Sequence, residues 1–149
     1  MPTANDVIGI ARMFRFVREA RQNRGQRVEA IQRWSDGRPG DSWCCHFATM
    51  VLDLAYQGAA PIPRGGSCQA VYDLAKANGW TTTEPHPGDL FLYVNSADHA
   101  HHIGIVTSIA PLVGIAGNTS ANGTSSNGDG VYEHAITASV FVRHLETAA

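Results

Sequence analysis

Apolar residues recur every three or four positions through the first half of the chain, which is the spacing of helices that bury one face. Asn5 or Asp6 can cap the first of these helices, and Gly25 is placed to end it. The third helix is apolar nearly all round, so we expect it to be central and buried, with Ser42 as its N-cap. The pattern predicts four helices, over about 5–25, 28–34, 43–57 and 68–78.

The pattern changes after Pro85, where short apolar runs separated by turn residues are typical of strands joined by hairpins. The chain therefore has the order of an α+β fold, in which helices come first and a mainly antiparallel sheet second. In such a fold the helices pack at one side of the sheet. A stretch over 117–130 is rich in Gly, Ser and Asn and is predicted to be a mobile loop between two strands. Five strands are predicted, over 90–94, 102–109, 112–116, 131–136 and 140–145.

Length and composition place these elements in one domain over 1–149, because 149 residues of which 44% are apolar supply one core. The net charge of -2 is unevenly divided: residues 1–40 hold eight Arg and four acids, whereas the rest hold three bases and nine acids. This balance excludes a generally basic nucleic-acid binder. No apolar run is long enough for a membrane span, and the first residues lack the features of a signal peptide, so synthesis in the cytoplasm is expected.

A thiol and an imidazole begin two apolar elements far apart in the chain. Cys44 opens the third helix and His102 opens a strand, a pairing that suggests a cysteine–histidine hydrolase. The N–H groups of a first helical turn and a nearby imidazolium would lower the pKa of the Cys44 thiol. The same N–H groups can stabilise an oxyanion. Because three cysteines are an odd number in a domain of this size, we expect reduced thiols and not a disulfide framework.

Four short motifs follow one another along the chain: PGDSWC at 39–44, PGDL at 87–90, HIGIV at 102–106 and GNTS at 117–120. In this order they resemble the landmarks of CHAP-type and related NlpC-type hydrolases, which are papain-like enzymes of the bacterial cell wall. The resemblance covers roughly residues 28–140. It implies a papain-like fold, Cys44 as nucleophile, His102 as base, a polar third residue, and an amide bond in peptidoglycan as substrate.

The resemblance implies a polar third residue but leaves its identity open. Asn118 is our candidate, because its amide oxygen can accept a hydrogen bond from the His102 ring and so orient it. Many CHAP-type chains have Glu two residues before this Asn, where the present chain has Ala116.

The register of the two adjacent cysteines is open as well. A shift of one residue would exchange Cys44 and Cys45 as nucleophile, and we favour Cys44. Ser42 and Trp43, which precede it directly, are the candidate substrate-binding residues. Cys68 is expected to be structural.

A zinc site is an alternative for the histidine-rich segment. His99, His101 and His102 lie within four positions, and the chain also has a Cys-Cys pair. However, this spacing is not a recognised ligand set, and adjacent residues of a strand point to opposite faces. We therefore expect neither a metal nor another cofactor.

The resemblance leads to a specific expectation of function. We expect a peptidoglycan hydrolase, either an N-acetylmuramoyl-L-alanine amidase or an endopeptidase of stem peptides or cross-bridges, working as a phage lysin or an exported antibacterial effector. It would act in the periplasm or cell wall after release or export. The expected partners are peptidoglycan and an immunity or delivery protein, without nucleic acid, and the chain is expected to be a monomer. The alternatives are a papain-like protease or deamidase acting on proteins, and a catalytically inactive wall- or protein-binding module on the same fold.

Overall fold

The computed structural model describes residues 1–121 and 128–145. Within them the chain has an α+β fold, with helices first and an antiparallel sheet second, as predicted. The helices are α1 (Ala4–Arg12), α2 (Gln26–Trp34), α3 (Cys44–Ala55) and α4 (Cys68–Ala77). The strands are β1 (Thr81–Thr82), β2 (Leu90–Val94), β3 (Ala100–Ile109), β4 (Leu112–Thr119), β5 (Gly130–Ala135) and β6 (Val140–Val142).

The sheet has the strand order β1-β6-β2-β3-β4-β5, and every neighbouring pair is antiparallel. β2, β3 and β4 therefore lie at its centre. The two-residue strand β1 was not predicted, because it is too short to show an alternating pattern. The other five correspond to the predicted strands, although β4 extends to Thr119 and β6 ends at Val142.

Apolar residues cover both faces of the sheet. Leu90, Leu92 and Ile105 belong to the main core, which also contains the buried side of the helices. Their neighbours Phe91 and Val106 belong to a smaller cluster. This alternation follows from the two-residue period of a strand, which sends successive side chains to opposite faces. α3 is buried over most of its length and packs against β3 and β4, so it is the central helix, as expected.

α1 is shorter than predicted. Thr3 is its N-cap in a capping box with Asp6, and the helix ends at Arg12 instead of near Gly25. After it the chain turns and pairs with β5: the Val17 carbonyl accepts a hydrogen bond from Val131 N–H over 3.1 Å. The apolar spacing continues beyond Arg12, but backbone pairing with a distant strand replaces the helix there.

The start of α3 also differs from the prediction. Trp43 occupies the N-cap position, and no side chain caps the helix, so the expected cap by Ser42 is wrong. By contrast, Ser67 caps α4, accepting a hydrogen bond from Ala70 N–H over 3.0 Å.

The predicted mobile loop over 117–130 falls partly on regular structure, because β4 runs to Thr119 and β5 begins at Gly130. Residues 122–127 of that loop lie outside the described residues, and so do residues 146–149. In the part of the chain that the structure describes, no helix combines the length and the hydropathy needed to cross a bilayer.

Candidate active site

Cys44 and His102 are brought together by the packing of α3 against β3. The His102 imidazole lies close enough to the Cys44 thiol to act on its pKa, which it lowers. Both residues are nearly buried, with 5% of Cys44 and 2% of His102 exposed, whereas Cys45 has no exposed surface. Of the two adjacent thiols, Cys44 is thus the one that lies beside the imidazole and keeps some access to solvent.

Two aromatic residues of β2 hold the His102 ring. Tyr93 lies opposite His102 in the register of β2 and β3, and the two rings stack at 5.7 Å between centroids with an angle of 9°. Phe91 approaches the same ring edge-on at 6.1 Å. The Tyr93 hydroxyl accepts a hydrogen bond from Thr137 N–H over 3.2 Å, which fixes the stacking ring. Sequence analysis did not identify this role of Tyr93, which only the register of the hairpin reveals.

Cys68 lies next to the candidate nucleophile. Its Sγ is 3.6 Å from the Sγ of Cys44, and both thiols are free. Each residue is the first of its helix, so the starts of α3 and α4 meet at this point. The sequence predicts only a structural role for Cys68. Its position directly after an N-capping Ser was the one signal that it begins a helix, as Cys44 does.

The pKa of the Cys44 thiol lies well above the usual value for cysteine. The hydrogen bond with Cys68 is the largest cause, burial adds to it, and the interaction with His102 acts in the opposite direction. The predicted lowering of this pKa is therefore wrong, because Cys68 and burial outweigh the imidazole. The pKa of Cys68 is also raised, to about 12; its hydrogen bond with Cys44 lowers it, but Cys45 and burial outweigh that effect.

The first turn of α3 offers backbone donors next to the thiol. The first hydrogen bond along the helix runs from Phe47 N–H to the Trp43 carbonyl over 2.9 Å, so the N–H groups of residues 44–46 have no acceptor within the helix. Side chains cap α1 and α4, but none caps α3. Uncapped donors at the positive end of a helix can stabilise an anion, such as the oxyanion of a tetrahedral intermediate.

The side chains of Asn118 and His102 are not joined by a hydrogen bond among the described residues. The Asn118 side-chain amide donates a hydrogen bond to the Ser42 hydroxyl over 3.0 Å. The Asn118 Oδ1 and the His102 Nδ1 are both buried, and neither has a partner among the described residues. Because Ile105 lies opposite Ile115 in the antiparallel pair, His102 and Asn118 lie toward the same end of β3 and β4. Oδ1 is the acceptor of the predicted hydrogen bond, and Nδ1 is one of the two ring nitrogens that could donate it.

The two predicted substrate-binding residues differ in exposure. Trp43 is fully buried, and its Nε1–H donates to Glu19 over 2.7 Å. Its ring packs so closely on Gly117 that a Cβ there would lie 2.8 Å from it. Trp43 is therefore a core residue, and its predicted contact with a substrate is wrong. Ser42 is exposed and lies beside the site, with its hydroxyl held by Asn118.

A polar cavity of about 450 Å³ adjoins Ser42. A carboxylate from Asp41, a guanidinium from Arg64 and the His46 ring line it. The His46 ring is itself fixed: its Nδ1 shares a hydrogen bond with the Ser35 hydroxyl, and its Nε2 lies 3.4 Å from the Asp41 carboxylate. This cavity can bind polar groups of either charge next to Ser42, whereas Cys44 and His102 are not among its lining residues.

The PGDL motif at 87–90 has a structural role. The Asp89 carboxylate, 1% exposed, accepts two hydrogen bonds from Arg143, from Nε over 2.8 Å and from an Nη over 3.0 Å. It also accepts one from His86 N–H over 2.8 Å. This carboxylate therefore fastens the start of β2 to the residue that follows β6.

Neither His99 nor His101, both exposed, belongs to a metal-binding cluster. Over residues 1–121 and 128–145, no three His, Cys, Asp or Glu side chains come together in a way that could hold a metal ion. The zinc alternative therefore has no ligand set in these ranges.

The chain matches no protein-family model, no curated protein and no solved structure.

Proposed function

We propose that this chain is a papain-like cysteine hydrolase that cleaves an amide bond in peptidoglycan. The observation that carries the proposal is the meeting of the Cys44 thiol and the His102 imidazole at the uncapped start of α3. A thiol beside an imidazole and free backbone donors is an arrangement suited to nucleophilic attack on a carbonyl carbon. The choice of substrate depends on the four motifs that resemble those of CHAP-type and NlpC-type hydrolases.

His102 acts as a general base in the proposed reaction. Because the pKa of Cys44 is raised, the thiol enters the reaction protonated, and His102 takes up its proton as the sulfur attacks the carbonyl carbon. The oxygen that becomes negative faces the N–H groups of the first turn of α3. His102 then donates the proton to the departing amine, and water hydrolyses the acyl thioester.

The cavity beside Ser42 fits a peptide substrate. Asp41 can bind an ammonium group and Arg64 a carboxylate, and peptidoglycan stem peptides carry both kinds of group. The proposal covers two bonds, the one between N-acetylmuramoyl and L-alanine and an amide bond within the stem peptide or cross-bridge. The chain would act as a monomer in the cell wall or periplasm, as a phage lysin or an exported antibacterial effector with an immunity or delivery protein as partner.

Digestion of purified peptidoglycan, followed by mass spectrometry of the released fragments, tests the proposal. We expect new amine and carboxyl termini with the wild type, and these termini name the bond. Cys44→Ala should release no fragments, whereas Cys45→Ala, which changes a buried neighbour outside the site, should release the same fragments as the wild type. Circular dichroism of each variant checks that it is folded.

Release of fragments by Cys44→Ala would overturn the assignment of the nucleophile. If the wild type leaves peptidoglycan intact but cleaves or deamidates proteins in a Cys44-dependent way, the papain-like protease or deamidase replaces our proposal. If the wild type cosediments with peptidoglycan and releases nothing, the chain is an inactive wall-binding module.

A further inference from the structure

Three thiols meet where α3 and α4 begin, and the distance between two of them is short. The Sγ atoms of Cys44 and Cys68 lie 3.6 Å apart, and neither is bonded. A disulfide bond requires about 2 Å, so the two sulfurs need to approach by about 1.5 Å, which side-chain rotation can supply. Both helices pack against β3, which holds their starts side by side.

From this geometry we propose that Cys44 and Cys68 form a reversible disulfide bond that switches the candidate active site off. The bond would occupy the sulfur of Cys44, so no nucleophile would remain beside His102. The chain would be competent only where its thiols are reduced. The formation of the bond stands on the geometry alone, whereas its effect on turnover rests on the proposed function.

The neighbouring His102 imidazole, and not solvent access, favours Cys44 over Cys68 as the sulfur that reacts with the oxidant. Cys44 is 5% exposed and Cys68 is 8% exposed, so a molecule as small as hydrogen peroxide can reach the pair, whereas Cys45 has no exposed surface. Because the pKa of Cys44 is raised, the thiolate that reacts with peroxide is a minor form, and His102, which acts to lower this pKa, favours that form at Cys44. Cys68 is then the resolving thiol, because a second sulfur at 3.6 Å is already in place.

Hydrogen peroxide is the oxidant in the proposed step. The Cys44 thiolate attacks one oxygen, the O–O bond breaks, and hydroxide leaves as water with the proton held by His102, so that Cys44 becomes a sulfenic acid. The sulfur of Cys68 attacks the sulfenic sulfur, the S–O bond breaks, and the oxygen leaves as water with the proton of Cys68. Two thiols lose two protons and two electrons, and one peroxide is reduced to two waters.

The experiment exposes the wild type, Cys68→Ala and Cys45→Ala to increasing hydrogen peroxide and maps unreduced peptides by mass spectrometry. We expect the wild type to lose two hydrogen atoms and to yield one cross-linked peptide pair that joins Cys44 to Cys68. Cys45→Ala should behave in the same way. Cys68→Ala should yield no cross-link, and its Cys44 should gain two oxygen atoms as a sulfinic acid.

Reversal by dithiothreitol is the second readout. In the wild type and Cys45→Ala, we expect the reductant to restore nearly all labelling of Cys44 by iodoacetamide and nearly all peptidoglycan digestion. In Cys68→Ala, both should stay lost after the same treatment, because a sulfinic acid is not reduced by a thiol. Cys68→Ser repeats this arm with a polar replacement if the alanine variant does not fold.

A cross-link that joins Cys45 to either other thiol, or that joins two copies of the chain, would overturn the proposal. The proposal would also be overturned if Cys44 of the wild type became a sulfinic acid at the same peroxide concentration that produces this acid in Cys68→Ala. If the cross-link joins Cys44 to Cys68 and blocks labelling, but the reduced protein digests no peptidoglycan, the disulfide stands and the proposed function fails.

Discussion

Asn118 donates a hydrogen bond of 3.0 Å from its side-chain amide to the hydroxyl of Ser42, two residues before the candidate nucleophile. Its backbone has a φ of 53°, in the left-handed region that Asn tolerates better than most residues. The other side-chain atom, Oδ1, is buried without a partner among the described residues, as is His102 Nδ1. The predicted hydrogen bond that orients the imidazole would use this Oδ1 as its acceptor.

Replacement of Asn118 by Gly tests whether its amide oxygen serves His102. Glycine accepts the positive φ without strain, so Asn118→Gly removes the amide and leaves the backbone free to keep its conformation. We expect kcat/KM for peptidoglycan to fall by at least about tenfold, because an unoriented imidazole is a poor base. Ser42→Ala is the comparison variant: it removes the hydrogen bond between these two residues but keeps the Asn118 amide oxygen, so it should cost less than Asn118→Gly.

Equal losses in Asn118→Gly and Ser42→Ala would mean that the hydrogen bond between these two residues is what the site needs. Asn118 would then fasten the chain before Cys44, and His102 would work without a third residue.

The stack of Tyr93 on His102 makes a second prediction. Such a contact is worth about 0.5–1.5 kcal/mol, so Tyr93→Leu should lower kcat/KM by up to about tenfold by releasing the imidazole ring. Tyr93→Phe keeps the ring and loses only the hydroxyl that accepts from Thr137 N–H, and it should stay within about twofold of the wild type. Steady-state kinetics on peptidoglycan separates the two variants. Equal activity in both would show that the stack does not position His102.

Periodicity was sufficient to predict most of the fold. α2, α4 and the run of hairpin strands correspond to the predicted elements, because each combines a regular apolar spacing with turn residues at its ends. α1 is the exception: Val17 keeps helical spacing, yet its carbonyl pairs with Val131 of β5. The local spacing of apolar residues does not reveal a backbone partner that lies more than a hundred residues away in the chain.

The motifs were enough to predict the pairing of Cys44 with His102, but they did not predict which residues surround the pair. The sequence predicts a lowered pKa for Cys44 from the helix start, whereas the structure adds Cys68, which raises it. Cys68 begins a helix of its own, and its distance from Cys44 depends on how two helices pack on one strand. The burial of Trp43 is likewise a result of packing, against Gly117 of β4.

The buried ion pair of Asp89 and Arg143 makes a third prediction, on stability. Arg143→Met removes both side-chain hydrogen bonds to a carboxylate that is 1% exposed, and leaves that charge unpaired. We expect the free energy of unfolding to fall by about 3–5 kcal/mol. The double variant Asp89→Asn/Arg143→Met should recover part of this loss, because it no longer buries a charge. Urea unfolding measures all three proteins, and a loss below about 1 kcal/mol in Arg143→Met would contradict the importance of the pair.

His144 is buried in its neutral form beside the same turn. Its Nε2–H donates to the Gly88 carbonyl over 2.6 Å, and its Nδ1 shares a hydrogen bond of 2.9 Å with the Tyr56 hydroxyl. Burial lowers the pKa of His144, and it outweighs the carbonyl of Gly88 and the charge of Asp89, which act in the opposite direction.

The lowered pKa of His144 predicts a loss of stability in acid. The unfolded chain binds a proton near the ordinary histidine pKa of about 6.5, whereas the folded chain binds it only at lower pH. The stabilisation by neutral His144 is therefore complete above that pH and is lost as the pH falls toward the folded-state pKa, with a slope of up to about 1.4 kcal/mol per pH unit. His144→Gln cannot titrate, so its free energy of unfolding, although lower at pH 7.5, should change less between pH 7.5 and 5. Urea unfolding at pH 7.5 and pH 5 measures the free energy of unfolding of both proteins. In the difference between the two proteins, the titration of all other groups cancels. Parallel pH dependences would show that His144 has the same pKa in the folded and the unfolded chain.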